Sequence, residues 1–209
     1  MPRKPMLTNP IPFAAALLAG GRSLRMGRDK ARLPWGGEPL WRHQWRTLAA
    51  LEPSSLLLSC RTVEDFPDLS GGRAVADAWP EAGPAGGLAS CLAVMEEPLL
   101  VALGVDMPAM PSGFLHELLS CARVGRGVAV RQRDDDGRAR WEPLAAVWPR
   151  EMLPLMESSL RSGCGSLQKI LTSAEAAGLM MAWDDPVPSA WLANANTPSD
   201  WEDLQRAKR

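Results

Sequence analysis

Leu18-Ala19-Gly20-Gly21-Arg22-Ser23-Leu24-Arg25-Met26-Gly27-Arg28-Asp29-Lys30-Ala31-Arg32-Leu33 is the stretch on which the reading of this chain turns. It follows the apolar run Phe13 to Ala19, whose length and small aliphatic composition suit a buried strand better than a helix. A buried strand delivers its loop to a sheet edge. There Gly20 and Gly21 free the backbone to turn sharply and present N–H groups, while Arg22, Arg25, Arg28 and Lys30 add four cations. Such a loop suits polyphosphate. It is not the phosphate loop of the P-loop NTPases, because Lys30 is followed by Ala31 where a metal-binding hydroxyl is required. It is not a dinucleotide fingerprint either, because the third glycine is missing from its place.

The whole chain narrows the choice of ligand. Its 209 residues allow one α/β domain with a full core, expected over residues 13–209, and leave little room for a second. Residues 1–12 are Pro-rich and are expected to form a disordered lead-in. With a formal net charge of −1 there is no global field to attract nucleic acid, so the basic loop acts locally, on a small anion. Cys60, Cys91, Cys121 and Cys164 are far apart, lack any Cys-x-x-Cys pair and lie far from His43 and His116, so zinc spacing is absent. Each sits in apolar sequence and reads as a small buried hydrophobe. Reduced thiols suit a cytoplasmic protein. Met1-Pro2-Arg3-Lys4 before Ile11 to Ala19 imitates a signal peptide, but cleavage there would cut into the glycine loop. No run approaches the roughly twenty apolar residues of a membrane span, and no membrane partner is expected.

Beyond the loop, strand and helix patterns alternate. A helix is expected over 40–51, a buried strand over 54–59, and a short strand over 73–76 that delivers Asp77. The small-residue loop 79–87 leads into a helix over 87–96, whose positive N-terminal end faces the edge reached by the glycine loop. Leu99 to Val105 is the most strand-like run in the chain and ends in Asp106. A carboxylate at the C-terminal end of a central parallel strand sits where open α/β sheets bind ligands, and magnesium takes only one or two such oxygens from protein. Asp106 is therefore the expected Mg2+ ligand.

The second half continues the alternation. Ser112 is expected to cap a helix through Arg123, and strands over 127–133 and 141–148 flank the turn Asp134-Asp135-Asp136-Gly137. Adjacent acids on a turn point apart, so these read as a solvated hairpin tip. Helices over 151–160 and 166–174 and a strand over 179–183 follow. In Asn194-Ala195-Asn196-Thr197-Pro198-Ser199-Asp200, Thr197 reads as a helix cap with Pro198 in the first turn, leaving both asparagines free to face a cleft. Nine tryptophans without a repeat period are assigned mainly to packing, with Trp35 and Trp79 as loop positions set apart.

Four of these segments together resemble the nucleotidyltransferases that activate sugars, terpenoid precursors and pterins. Leu18-Ala19-Gly20-Gly21 with Arg25-Met26-Gly27 and Asp29-Lys30 is most similar to molybdenum cofactor guanylyltransferase. Asp77 before Gly83-Pro84-Ala85-Gly86-Gly87, Asp106 before Met107-Pro108, and the Asn194-x-Asn196-Thr197-Pro198 box match further segments of that family. The resemblance implies a three-layer α/β/α Rossmann-like nucleotidyltransferase fold with a mostly parallel central sheet. It implies GTP as donor and molybdopterin, in its molybdate-bearing form, as acceptor. Leu18, Ala19, Gly20, Gly21, Lys30, Asp77 and Asp106 would bind the nucleotide, with Arg25, Lys30 and Asp106 catalytic and Asn194 and Asn196 on the acceptor. Transient contact with cofactor-delivering proteins follows from such a role.

The same resemblance makes Arg131, Arg133, Arg138 and Arg140 candidates for acceptor contacts. CTP-using relatives commonly read Leu-Ala-Ala-Gly where this chain has Leu18-Ala19-Gly20-Gly21. One departure stands out: the family often carries asparagine at the strand end that reads Ser59-Cys60-Arg61 here. A cytidylyltransferase for the same pterin, a sugar-phosphate nucleotidyltransferase and a nucleotide-binding regulatory protein are the alternatives.

Overall fold

The computed structural model describes residues 11–20, 29–66, 68–133 and 136–208. Gly21 and Arg25 of the glycine loop, most of the expected lead-in, and Asp134 and Asp135 lie outside the described residues. In chain order the elements are β1 (Phe13–Leu18), β2 (Pro34–Trp35), β3 (Glu38–Pro39), α1 (Leu40–Ala49), β4 (Ser55–Cys60), β5 (Arg73–Ala76), α2 (Pro84–Val94) and β6 (Leu99–Gly104). They continue as α3 (Ser112–Cys121), β7 (Gly127–Arg133), β8 (Ala139–Pro149), α4 (Leu153–Arg161), α5 (Leu167–Ala176), β9 (Met180–Trp183) and α6 (Pro198–Ala207).

The main sheet runs β5-β4-β1-β6-β8-β7-β9. All its neighbours pair in parallel except at β8, which is antiparallel to both β6 and β7. β1 lies between β4 and β6, so its carbonyl and amide groups are used on both sides and all six of its side chains are buried. This explains its uniformly apolar sequence, since a strand covered on both faces has no solvent face to pattern. Phe13, Ala15 and Leu17 point to one core, which α1, α3 and α6 close. Ala14, Ala16 and Leu18 point to the other, closed by α2, α4 and α5. The result is the three-layer α/β/α arrangement expected from the sequence. Ile11 packs against the first core. Each fully buried leucine, such as Leu17, Leu57 or Leu103, contributes about 1.5–3 kcal/mol through removal of apolar surface from water.

Several element starts differ from expectation for local reasons. α2 begins at Pro84 rather than at Gly87, because Gly83 takes a left-handed cap conformation (φ 61°) and the fixed φ of Pro84 starts the helix. Ser112 is the first helical residue of α3 and Pro111 occupies the cap position. Thr197 does cap α6, its hydroxyl accepting from Asp200 N–H while the Asp200 carboxylate accepts from Thr197 N–H, which is a reciprocal capping box. Trp35 is no exposed loop residue. It is buried, with Trp201 at 5.5 Å, His43 at 6.1 Å and the Lys208 ammonium 4.4 Å over its ring.

The register between β7 and β8 breaks at one point that matters for the site. Ala129 opposes Ala146, but Val130 opposes Glu142, so Pro143, Leu144 and Ala145 have no partner on β7. Pro143 has no N–H to lose there, and its carbonyl accepts from the indole of buried Trp148 at 3.1 Å. Such bulges re-aim side chains, and this one brings Leu144 and Glu142 to the end of β6.

Candidate active site

β1, β4, β5 and β6 all end on the same edge, and a cleft of about 510 Å³ follows that edge. Asp77 leaves β5, Ser59 and Arg61 mark the end of β4, Ala19 and Gly20 leave β1, and Asp106 leaves β6; all of them line the cleft. Three strand spacings separate the Asp77 end from the Asp106 end, roughly 14 Å, enough to lay a nucleotide along the edge.

At the Asp106 end, Lys30 Nζ is 3.1 Å from Asp106 Oδ2 and 2.7 Å from Asn196 Oδ1. Lys30 is brought there by a short turn over Lys30–Arg32, capped by the Asp29 carboxylate accepting from Ala31 N–H at 2.9 Å. The Asp106 main chain is tied on either side: Val105 N–H donates to Leu18 O at 3.1 Å and Ala195 N–H donates to Asp106 O at 2.9 Å. The second tie draws the Asn box into the cleft. Gly104 leaves room for the carboxylate, since a Cβ there would come 2.8 Å from Asp106 Oδ1 and 3.3 Å from Leu144 Cβ.

Glu142 stands behind this cluster and was not singled out from the sequence. Burial, reinforced by the negative charge of Asp106, pushes its carboxyl up to about 7, while Leu144 N–H, Arg140 and the Asn194 amide oppose the rise. Asn194 also donates to Leu192 O at 2.9 Å. Its amide also bonds the Glu142 carboxyl, and neither of these two residues lines the cleft, whereas Asn196 does. The signal in the sequence was a glutamate before proline within a strand pattern, which by itself marks only an edge or bulge.

At the other end, the Asp77 carboxylate accepts from Trp79 N–H at 2.8 Å, and desolvation raises its pKa. Gly86 and Gly87 let the first turn of α2 lie close to the sheet. A Cβ on Gly86 would meet Trp79 O and Asp77 Oδ1, and one on Gly87 would meet Ser59 Oγ. Gly83, Pro84 and Gly87 contribute to the lining, so the start of α2 faces the cleft as expected. Arg61 shares this end with Asp77, because Asp77 N–H donates to Cys60 O at 2.9 Å and sets the two strand ends side by side.

The arginines expected near the acceptor divide differently. Arg131 makes bidentate contacts of 2.8–2.9 Å to Asp184 and to Glu175 and lies over the Trp141 ring at 5.0 Å. It is a structural cross-link between β7, α5 and the segment after β9. Arg133 donates to Gly137 O within its own hairpin, and Arg138 faces Asp136 at 3.7 Å on the exposed tip. None of these three lines the cleft.

The profile described as the MobA-like NTP transferase domain matches residues 15–177. A probable molybdenum cofactor guanylyltransferase of Opitutus terrae is 35% identical over 209 aligned residues, covering 97% of this chain and 99% of that protein. The molybdenum cofactor guanylyltransferase of Pseudomonas putida strain GB-1 is 32% identical, covering 90% and 94%. This chain belongs to the molybdenum cofactor guanylyltransferase family.

Solved structures agree on the fold. Molybdopterin-guanine dinucleotide biosynthesis protein A from Archaeoglobus fulgidus superposes with a TM-score of 0.72 at 18% identity, over 93% of this chain and 98% of that one. A nucleotidyl transferase from Methanothermobacter gives 0.75 at 17%, over 93% and 96%. As a member of this family the chain is a nucleotidyltransferase enzyme of molybdenum cofactor biosynthesis, and such enzymes generally work with a divalent metal. Among the described residues no group of three or more His, Cys, Asp or Glu side chains converges, and no helix is long and apolar enough to cross a membrane. The Asp106 carboxylate and the Asn196 Oδ1 are hard oxygens, each in contact with Lys30 Nζ. That donor set fits a small divalent cation that keeps most of its coordination for phosphates and water.

Proposed function

We propose that the cleft binds GTP with Mg2+ and transfers GMP to the phosphate of molybdopterin. The guanine dinucleotide cofactor and pyrophosphate are the products. The observation that carries this reading is the meeting of Lys30, Asp106 and Asn196 at one end of a cleft whose other end holds Asp77.

The acceptor is a phosphate monoester, anionic at neutral pH, so no side chain has to remove a proton from it. An acceptor oxygen forms a bond to the α-phosphorus, the bond from that phosphorus to the bridging oxygen breaks, and pyrophosphate leaves with the electron pair. The barrier is charge repulsion and charge build-up on the leaving group, which positioned cations lower. Lys30 neutralises phosphate oxygens, and Arg25 is assigned the same task from the sequence. Asp106 holds Mg2+, which when bound screens the phosphates and helps align the two reactants. Gly20 cradles the nucleotide beside Leu18 and Ala19, Gly21 is assigned the same task from the sequence, and Asp77 anchors the nucleotide at the other end. Asn196 orients the acceptor at the cleft wall, and Asn194 supports that wall through Glu142.

Residues 13–209 act as one nucleotidyltransferase domain in this reading. Four free cysteines, two of them buried, suit a reducing cytoplasm, where the enzyme would meet proteins that deliver the pterin. The test is thermal protection by nucleoside triphosphates with Mg2+, followed by pyrophosphate release in the presence of molybdopterin. GTP should protect more strongly than CTP, ATP or UTP, and release should require the pterin. Equal affinity for GTP and CTP would remove the donor assignment, and selective binding without pyrophosphate release would favour a regulatory protein.

A further inference from the structure

Gln44 has 0% exposure in the middle of α1. Its Nε2 donates to two main-chain carbonyls, Gly104 O at 3.3 Å and Met107 O at 2.6 Å. These are the first and last carbonyls of the turn Gly104-Val105-Asp106-Met107, which its own Met107 N–H to Gly104 O contact closes only at 3.4 Å. One primary amide thus spends both of its N–H groups on bridging the two ends of the turn that carries Asp106. The other amide atom, Oε1, is buried without a hydrogen-bond partner. Because both neighbours are carbonyl oxygens, the nitrogen has to face them and the orphaned oxygen follows.

Packing does not account for this residue. Leu40, Trp41, Trp45 and Leu48 surround it in sequence on the buried face of α1, and methionine or leucine would fill the same volume without burying an unpaired acceptor. What an apolar residue lacks is two donors, and asparagine carries them on a shorter stem. The neighbouring His43 Nε2 lies 3.1 Å from Pro108 O, so α1 meets the segment at one further point, just past the turn. From the Asn box, Ala195 N–H holds Asp106 O. The main chain around Asp106 is thus held both from α1 and from the Asn box.

We propose that Gln44 is a positioning residue that holds the Gly104–Met107 turn so that the Asp106 carboxylate is presented to the metal-bound nucleotide. The inference rests on the reading of Asp106 as the Mg2+ ligand and adds to it a group that touches neither metal nor substrate. Residues that orient a metal ligand from behind set the affinity for the metal.

The experiment titrates Mg2+ into protein and GTP by calorimetry, and measures the Mg2+ half-saturation of pyrophosphate release and the Tm in parallel. It compares wild type, Gln44→Met, Gln44→Asn and Leu48→Ala, the last removing buried volume from the same helix without touching the turn. Gln44→Met should raise the Mg2+ dissociation constant and half-saturation about tenfold, with turnover recovering towards wild type at high Mg2+. Leu48→Ala should lower Tm and leave the Mg2+ dependence unmoved. An unshifted Mg2+ affinity in Gln44→Met, or an equal shift in Leu48→Ala, overturns the proposal. If Gln44→Met fails to fold, Gln44→Asn decides in the same way: a raised Mg2+ requirement supports the role and an unchanged one ends it. Absence of Mg2+-dependent GTP binding in wild type would overturn the metal reading of Asp106 and this inference together, whereas normal wild-type dependence with unshifted Gln44 variants overturns the inference alone.

Discussion

Lys30 Nζ lies 3.1 Å from Asp106 Oδ2 across 76 residues of chain, with the two side chains 15% and 20% exposed. In the proposed function this partly buried pair would exchange partners, phosphates for the ammonium and a divalent cation for the carboxylate. Lys30→Ala should therefore lower turnover on the order of a hundredfold or more, because a positioned cation at developing phosphate charge is removed. The check is steady-state pyrophosphate release at saturating GTP and Mg2+, with Tm measured to confirm folding. A wild-type rate would exclude the role assigned to Lys30.

Glu142 ties stability to pH. Its carboxyl has a pKa near 7 in the folded protein against a reference value of 4.5, so between those values the folded state binds the proton more strongly. Stability then falls as pH rises through that window, and above it the folded protein carries a partly desolvated charge. Glu142→Gln should match wild type below about pH 4.5. At pH 8 it should be more stable by on the order of 2 kcal/mol. Chemical denaturation at several pH values reads this difference, and a gap that shrinks with rising pH would contradict it.

Arg131 should act on stability alone. Its partners Glu175 and Asp184 are 38% and 61% exposed, so loss of the cross-link in Arg131→Ala should cost about 1–2 kcal/mol in total. The KM for the pterin acceptor should stay at the wild-type value. A raised acceptor KM with unchanged Tm would restore Arg131 to the binding site.

Thr197 links the helix cap to the cleft. Thr197→Ala removes the hydroxyl that accepts from Asp200 N–H and should destabilise the protein by about 1 kcal/mol. The Asp200 carboxylate also accepts from Asn196 N–H at 3.0 Å, so loosening the cap loosens the residue that meets Lys30. A rise in acceptor KM should accompany the fall in Tm, and Ser at the same position should restore both.

Much of this was legible in the residue order because it is local. The uniformly apolar 13–18 run marks a strand covered on both faces, Pro84 after Gly83 starts a helix, and Thr197-Pro198-Ser199-Asp200 writes its own cap. Strand ends in an alternating α/β pattern fall on one edge, so Asp77, Gly20 and Asp106 were expected on the same side of the sheet. What one-dimensional pattern could not supply was anything set by the pairing of distant segments. The skipped register at Pro143–Ala145 moves Glu142 and Leu144 towards Asp106, and no period in the sequence encodes that skip. Arg131 looked available in sequence and is consumed by two carboxylates that lie 44 and 53 residues away. Gln44 looked like one more polar residue on an amphipathic helix, and only the packing of α1 against β1, which brings its amide to the end of β6, turned it into a clamp. Local propensities and caps act over a few residues, whereas hydrogen-bond partners and buried charges belong to whichever segments the folded chain brings into contact.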